Sequence, residues 1–235
     1  MEFYHSHKHR RNSKAKTLIF EFFMMFLAIT GGFFMENMRE HYTERHKGIE
    51  YIESMVKDVR QDTIAIQNII TNSEKQIKGI DSLRIVLESP FSEINYRRLY
   101  LLTFKYLNNF EAFTPNQITI SQLKNFGGLR LINNKSASDS IINYYSTFDE
   151  HVEQQNYTVK FLQETILLET VAMDFSAARY NNGKLTFDQN KFKEFSNRIL
   201  LFESLLNDEV IWVKNYQKLS ISLLKKLKKG YNLKM

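Results

Sequence analysis

Residues 49–87 read IEYIESMVKDVRQDTIAIQNIITNSEKQIKGIDSLRIVL, and their apolar positions decide the fold. Ile49, Ile52, Val56, Val59, Thr63, Ile66, Ile70, Ser73, Ile77, Ile80 and Leu87 recur at alternating intervals of three and four, the heptad pattern that lays one stripe along a helix. No proline interrupts the run before Pro90. A single helix is therefore predicted from Glu36 to Ser89, about 80 Å long at the α-helical rise. Two prolines and eight glycines in 235 residues leave little room for turns, so long helices are expected throughout.

Toward the N-terminus, residues 17–35 read TLIFEFFMMFLAITGGFFM and carry one charge. As a helix they would extend roughly 28 Å, about the thickness of a bilayer hydrocarbon core. They read as a transmembrane helix. A cleaved secretory signal is the competing reading, against which stand the length of the run, Glu21 within it and the lack of an A-x-A site. The preceding tail, 1–16, holds Lys8, Arg10, Arg11, Lys14 and Lys16 against Glu2, whereas Arg39, Arg45 and Lys47 beyond the span are mixed with Glu36, Glu40 and Glu44. That asymmetry places the N-terminus in the cytoplasm and the bulk of the chain outside it. Residues 36–48 are polar on every side and connect rather than pack. The expected organisation is a basic cytoplasmic tail (1–16), a transmembrane helix (17–35), a polar juxtamembrane stalk (36–48) and an extracytoplasmic helical bundle (49–235).

Within the span, Glu21, Met25, Ala28 and Gly32 share one helical face, with small residues at 28 and 32. Two readings stay open: a helix–helix interaction face on which Glu21 meets a partner group, or a Glu21 wetted near the cytoplasmic headgroups.

Beyond the turn at Pro90, INYRRLYLLTFKYLNNF predicts a second helix. Thr114 and Pro115 with Gln117 form a capping box for a short third helix that Gly127 and Gly128 end. Ser136 and Asp139 suggest the start of a fourth over 137–180, with Ile141, Tyr145, Phe148, Val152, Val159, Leu162, Ile166 and Met173 as its stripe. A fifth, over 188–229, shows Phe192, Phe195, Ile199, Phe202, Leu206, Val210, Val213 and Leu227 and ends at Gly230. The fold class is all-α: an N-terminal transmembrane helix continuing into a long stalk helix, then an antiparallel four-helix-type bundle whose return element is broken in two. By parity the last helix returns toward the outer membrane surface. Lys225, Lys226, Lys228 and Lys229 then form either a basic end facing anionic lipid or a solvated helix terminus that complements its own dipole.

The formal charge of +6 sits mostly in the two termini, with no basic stripe on a folded face, so nucleic acid is not an expected partner. Cysteine is absent, which removes disulfides and thiolate metal sites. His5, His7 and His9 alternate in the tail without a second ligand set, and His41 and His46 do not share a helical face. His151, beside Glu150 and Glu153, has the wrong order for a di-iron bundle. No phosphate-cradling glycine loop, nucleophile elbow or metalloprotease motif occurs. The histidines and carboxylates read as surface, neither metal nor cofactor is expected, and no enzyme is read. The aromatic side chains fall mostly on core stripes, with Tyr96, Tyr100 and Tyr106 either capping the bundle or facing a partner.

Two stretches carry a resemblance. EFFMMFLAITGGFFMENMREHYTERH, followed by YIESMVKDVRQD, and ITISQLKNFGGLRLINNKSASDSIINYYSTFDE resemble a family of uncharacterised single-pass inner-membrane proteins abundant in Bacteroidota. They cover about a third of the chain, and Glu36-Asn37-Met38 departs from the family's usual Asn-Trp junction. The resemblance implies a bacterial inner-membrane location with a periplasmic C-terminal domain and no known activity, cofactor or substrate. Three functional classes follow: an oligomeric scaffold or accessory subunit that meets protein partners through its span and stalk, a ligand sensor that signals through the span, and an ion-coupled motor or transporter subunit that uses Glu21.

Overall fold

The computed structural model describes residues 10–90, 94–108, 110–125, 127–173 and 188–233. Among these the chain is all-α: α1 Arg10–Leu87, α2 Tyr96–Tyr106, α3 Ile118–Asn125, a 3-10 turn Gly128–Leu131, α4 Lys135–Asp149, α5 Val152–Ala172 and α6 Gln189–Tyr231. The chain forms two compact units, Met1–Glu50 and Tyr51–Met235.

In the first unit the basic tail is already helical from Arg10, because nothing between Arg10 and Thr17 breaks a helix and Lys, Arg and Ala favour one. Its apolar window has a mean hydropathy of 2.0 and none of it is buried. Phe22 and Phe33 are 70% and 75% exposed, which water would penalise and hydrocarbon would not.

The second unit packs four helical layers. Contacts to α1 give their order directly. As the chain advances from Tyr106 to Thr119, its α1 partners fall back: Gln76 Nε2 donates to Tyr106 O (2.7 Å), Asn72 Nδ2 to Glu111 (3.1 Å), and the Asn116 and Thr119 amides donate to Asp62 (2.9 Å) and Asp58 (3.1 Å). The broken element α2–α3 therefore runs antiparallel to α1. So does α6, which pairs Glu203 with Arg84 (3.7 Å), Lys214 with Glu74 (2.6 Å) and Gln217 with Gln67 (2.9 Å). The bonds from Lys226 to Ser140 and from Arg198 to Glu164 make α4 and α5 antiparallel to α6 in turn.

The heptad of α1 is inside as expected, with Ile52, Val56, Val59, Ile66 and Ile80 fully buried. The buried face is wider than a two-stranded seam and also takes in Met55, Leu83 and Val86, because three elements cover it rather than one. All eight stripe residues of α6 are buried. Close approach is set at one point by Gly79, where a Cβ would overlap the Tyr106 ring, so that the end of α2 lies directly on the backbone of α1.

Four predicted boundaries move. Thr114 and Pro115 do not cap α3, which begins at Ile118; the Asn116 side chain accepts from the Ile118 amide (3.0 Å), and α1 supplies the remaining acceptors. Gly127 ends α3 as expected, in the left-handed region (φ 64°) that suits glycine. The cap of α4 is Asn134, which accepts from Ala137 N (3.1 Å), rather than Ser136. The helix predicted over 137–180 is two helices broken at Glu150–His151, and its last part, 174–180, lies outside the described residues. Finally, α6 runs through Gly230 to Tyr231 and ends at Asn232, in the left-handed region (φ 51°); a Cβ on Gly230 would crowd the Asn134 side chain, so this glycine serves a close approach rather than a helix end.

Candidate functional site

The polar groups that the fold takes out of water gather along one seam of the second unit. Asp58 and Asp62, four apart and so on one face of α1, are 8% and 4% exposed. They receive the Thr119 and Asn116 amides, which α3 cannot satisfy within itself, so α1 caps its neighbour's N-terminus with carboxylates. Asp62 also accepts from the Tyr144 hydroxyl (2.8 Å). Burial pushes Asp62 up to about 6, against the opposing pull of the Asn116 and Tyr144 hydrogen bonds.

From Tyr144 the seam continues through stacked rings. Tyr144 and Tyr216 lie 4.7 Å apart between centroids, and the Tyr216 hydroxyl donates to the Tyr144 carbonyl (2.8 Å). Trp212 stacks on Tyr216 (4.9 Å, 17°) and His151 stacks on Trp212 (3.7 Å, 7°). His151 Nε2 stands 2.7 Å from Glu209 Oε2, and Gln155 Nε2 donates to Glu209 Oε1 (2.9 Å). Tyr145 donates to the Asn116 carbonyl (2.9 Å) beside the first carboxylates. Burial raises the hydroxyls of Tyr144, Tyr145 and Tyr216 well above the ordinary phenol range, so all three stay protonated donors.

The break between α4 and α5 is what places His151. Glu150 N still bonds Ser146 O (3.0 Å), but His151 N bonds Phe148 O (2.9 Å), three residues back. That tighter turn brings the imidazole onto Trp212. No glycine or proline marks it. Chemically the seam holds donors and acceptors already matched to one another, with Asp62 and Glu209 almost closed to solvent. Such a network fixes register and ring orientation.

No family model, characterised protein or solved structure matches the chain.

The residues singled out in sequence lie elsewhere. Glu21, Met25, Ala28 and Gly32 are exposed on α1 in the first unit, and a Cβ on Gly32 would meet nothing within 4 Å. Lys225, Lys226 and Lys229 are exposed and Lys228 is half-buried at the end of α6, with Lys226 Nζ donating to Ser140 Oγ (3.0 Å). Tyr96, Tyr100 and Tyr106 are all half-buried and pack on the core beside α2. His5, His7 and His9 fall outside the described residues, and His41 and His46 are exposed. No group of metal-ligating side chains occurs among the described residues.

The expectation that the histidines and carboxylates are surface fails at four positions: Asp58, Asp62, Glu209 and His151, the last with a side chain 11% exposed. For the first three a signal existed. Asp58 and Asp62 are three residues past Met55 and Val59, and Glu209 is three past Leu206, so each shares a face with core residues. A charged residue on such a face is buried only where partners come to it, and those partners are remote in sequence.

Proposed function

We propose that this chain is a membrane-anchored scaffold or interaction protein, with a helical bundle held outside the cytoplasm of a bacterium at its inner membrane. It would work by contact rather than catalysis, as an oligomer or as an accessory subunit of a membrane complex. One observation carries the reading: the apolar helix of the first unit is wholly uncovered, while the second unit closes a core of its own. A helix of that composition left bare needs hydrocarbon around it. Once in hydrocarbon, the face of Glu21, Met25, Ala28 and Gly32 offers a second helix a close approach and a polar group. The resemblance to single-pass inner-membrane proteins supports the same topology.

The absence of native cysteine makes the topology directly testable. Single cysteines at Ser13→Cys and Glu153→Cys should differ under a membrane-impermeant maleimide, with only the second labelled in intact spheroplasts. Chemical crosslinking in native membranes should then give a discrete adduct, either a multimer of this chain or one complex with another protein. Release of the protein by alkaline carbonate, or crosslinking that yields only monomer, would sink the proposal.

A further inference from the structure

We propose that the cleft between α4 and α6 binds the phosphate ester of a small polyol, a chemistry shared by free polyol phosphates and by phosphatidylglycerol headgroups. The cleft, about 480 Å³ and so of small-ligand size, is walled by Lys135, Asp139 and Ser140 of α4 and by Ser222, Leu223 and Lys226 of α6. Lys226 Nζ donates one hydrogen bond to Ser140 Oγ (3.0 Å), and the Ser140 hydroxyl in turn donates to the Ser136 carbonyl (2.7 Å). The serine thereby fixes the ammonium at the wall and leaves two of its three N–H groups for a ligand. Among the described residues neither Lys135 nor Lys226 is ion-paired, so their charge is available to an anion.

The remaining groups narrow the class. Two ammonium groups match a phosphate, the Ser222 hydroxyl adds a neutral donor, and Leu223 gives the wall an apolar stretch for carbon. Asp139 opposes a bare dianion, but it accepts hydrogen bonds from hydroxyls beside a phosphate, which favours polyol esters over inorganic phosphate. Lys225, Lys228 and Lys229 are neighbours of Lys226 along α6 and raise the positive potential around the cleft. The inference is independent of which protein the span contacts.

The full chain in lipid nanodiscs tests it by hydrogen exchange read over residues 135–143 and 219–226. One arm holds phosphatidylcholine discs with added glycerol 3-phosphate, the other discs containing phosphatidylglycerol and no free phosphate. Protection in the first arm marks a soluble ester, and protection only in the second marks the lipid headgroup. In either case Lys135→Gln with Lys226→Gln should weaken binding about tenfold or more, the loss expected when charge-assisted hydrogen bonds are removed. Asp139→Asn should instead admit inorganic phosphate, an effect that loss of folding cannot mimic. Absence of protection in both arms, or protection unchanged in the double lysine variant, would overturn the proposal.

Discussion

The second unit contains two cores that solve burial in opposite ways. Around Ile52–Ile70 of α1, apolar residues surround a hydrogen-bonded seam of Asp58, Asp62, Tyr144, Tyr145 and Tyr216. Around Ile80–Leu87, the core is built from Leu99, Phe161, Phe192, Phe195, Ile199, Phe202 and Leu206, and its buried Thr103 hydroxyl is left without a partner. The contrast follows from what covers α1. Next to the first core the covering element is the start of α3, whose orphan amides require acceptors; next to the second it is the body of α2, whose amides are spent within the helix. A helix end forces polar groups inward, and a helix side does not.

The largest effect that separates the cores should come from Phe195→Ala. Phe195 is fully buried in the mainly apolar core, where its truncation leaves a cavity among aliphatic and aromatic side chains, and a loss of about 3–5 kcal/mol is expected in urea unfolding. A cost below about 1 kcal/mol would mean that this core collapses around the gap and is not close-packed.

Next comes the pH dependence of the wet core. Burial raises Asp62 to about 6, above an ordinary aspartate near 4, so the folded state holds its proton more tightly than the unfolded state. Stability contributed at this position therefore falls as pH rises from about 4 to 6 and is level above that, by roughly 2–3 kcal/mol in total. Asp62→Asn should remove that slope. Glu169, which burial raises to about 7, changes stability with the same sign, so the informative quantity is the difference between the parent and Asp62→Asn across the window. Parallel profiles for the two proteins would show that the Asp62 carboxylate is solvated.

The smallest effect tests the flaw in the dry core. Thr103→Val deletes a buried hydroxyl with no partner while keeping its shape, and should stabilise by about 1 kcal/mol. The same change at Thr165, whose hydroxyl donates to Phe161 O (2.8 Å), should give no such gain. Equal responses at the two sites would remove this difference between them.

Much of the fold was legible because it is written in local periodicity. Phe192 through Leu227 on α6 and Ile52 through Ile80 on α1 recur at helical intervals, and burial of one face follows from that spacing alone. The seam was legible only in part. The amide that meets Asp62 lies 54 residues further along the chain, and the Thr119 amide lies 61 beyond Asp58, so no local window contains both partners. The break at His151 had no glycine or proline to announce it, and depends on Trp212 and Glu209 in another helix. The start of α3 was misplaced for the same reason: Thr114-Pro115 is a good local cap, but the acceptors from α1 meet the amides of Asn116 and Thr119, and the helix starts between them at Ile118.

The pairing of Gln67 with Gln217 spans 150 positions, and it has a consequence for the order in which the molecule can be made. During synthesis α1 is complete long before α6 exists, so the apolar face from Ile52 to Leu87 must wait through the production of every other element. Local helix formation is fast, but the bundle can close only when its last helix arrives. The vulnerable interval in the life of this protein therefore falls before α6 is made, and until Asn116, Thr119 and Tyr144 have been made as well, the charges of Asp58 and Asp62 keep the waiting face soluble.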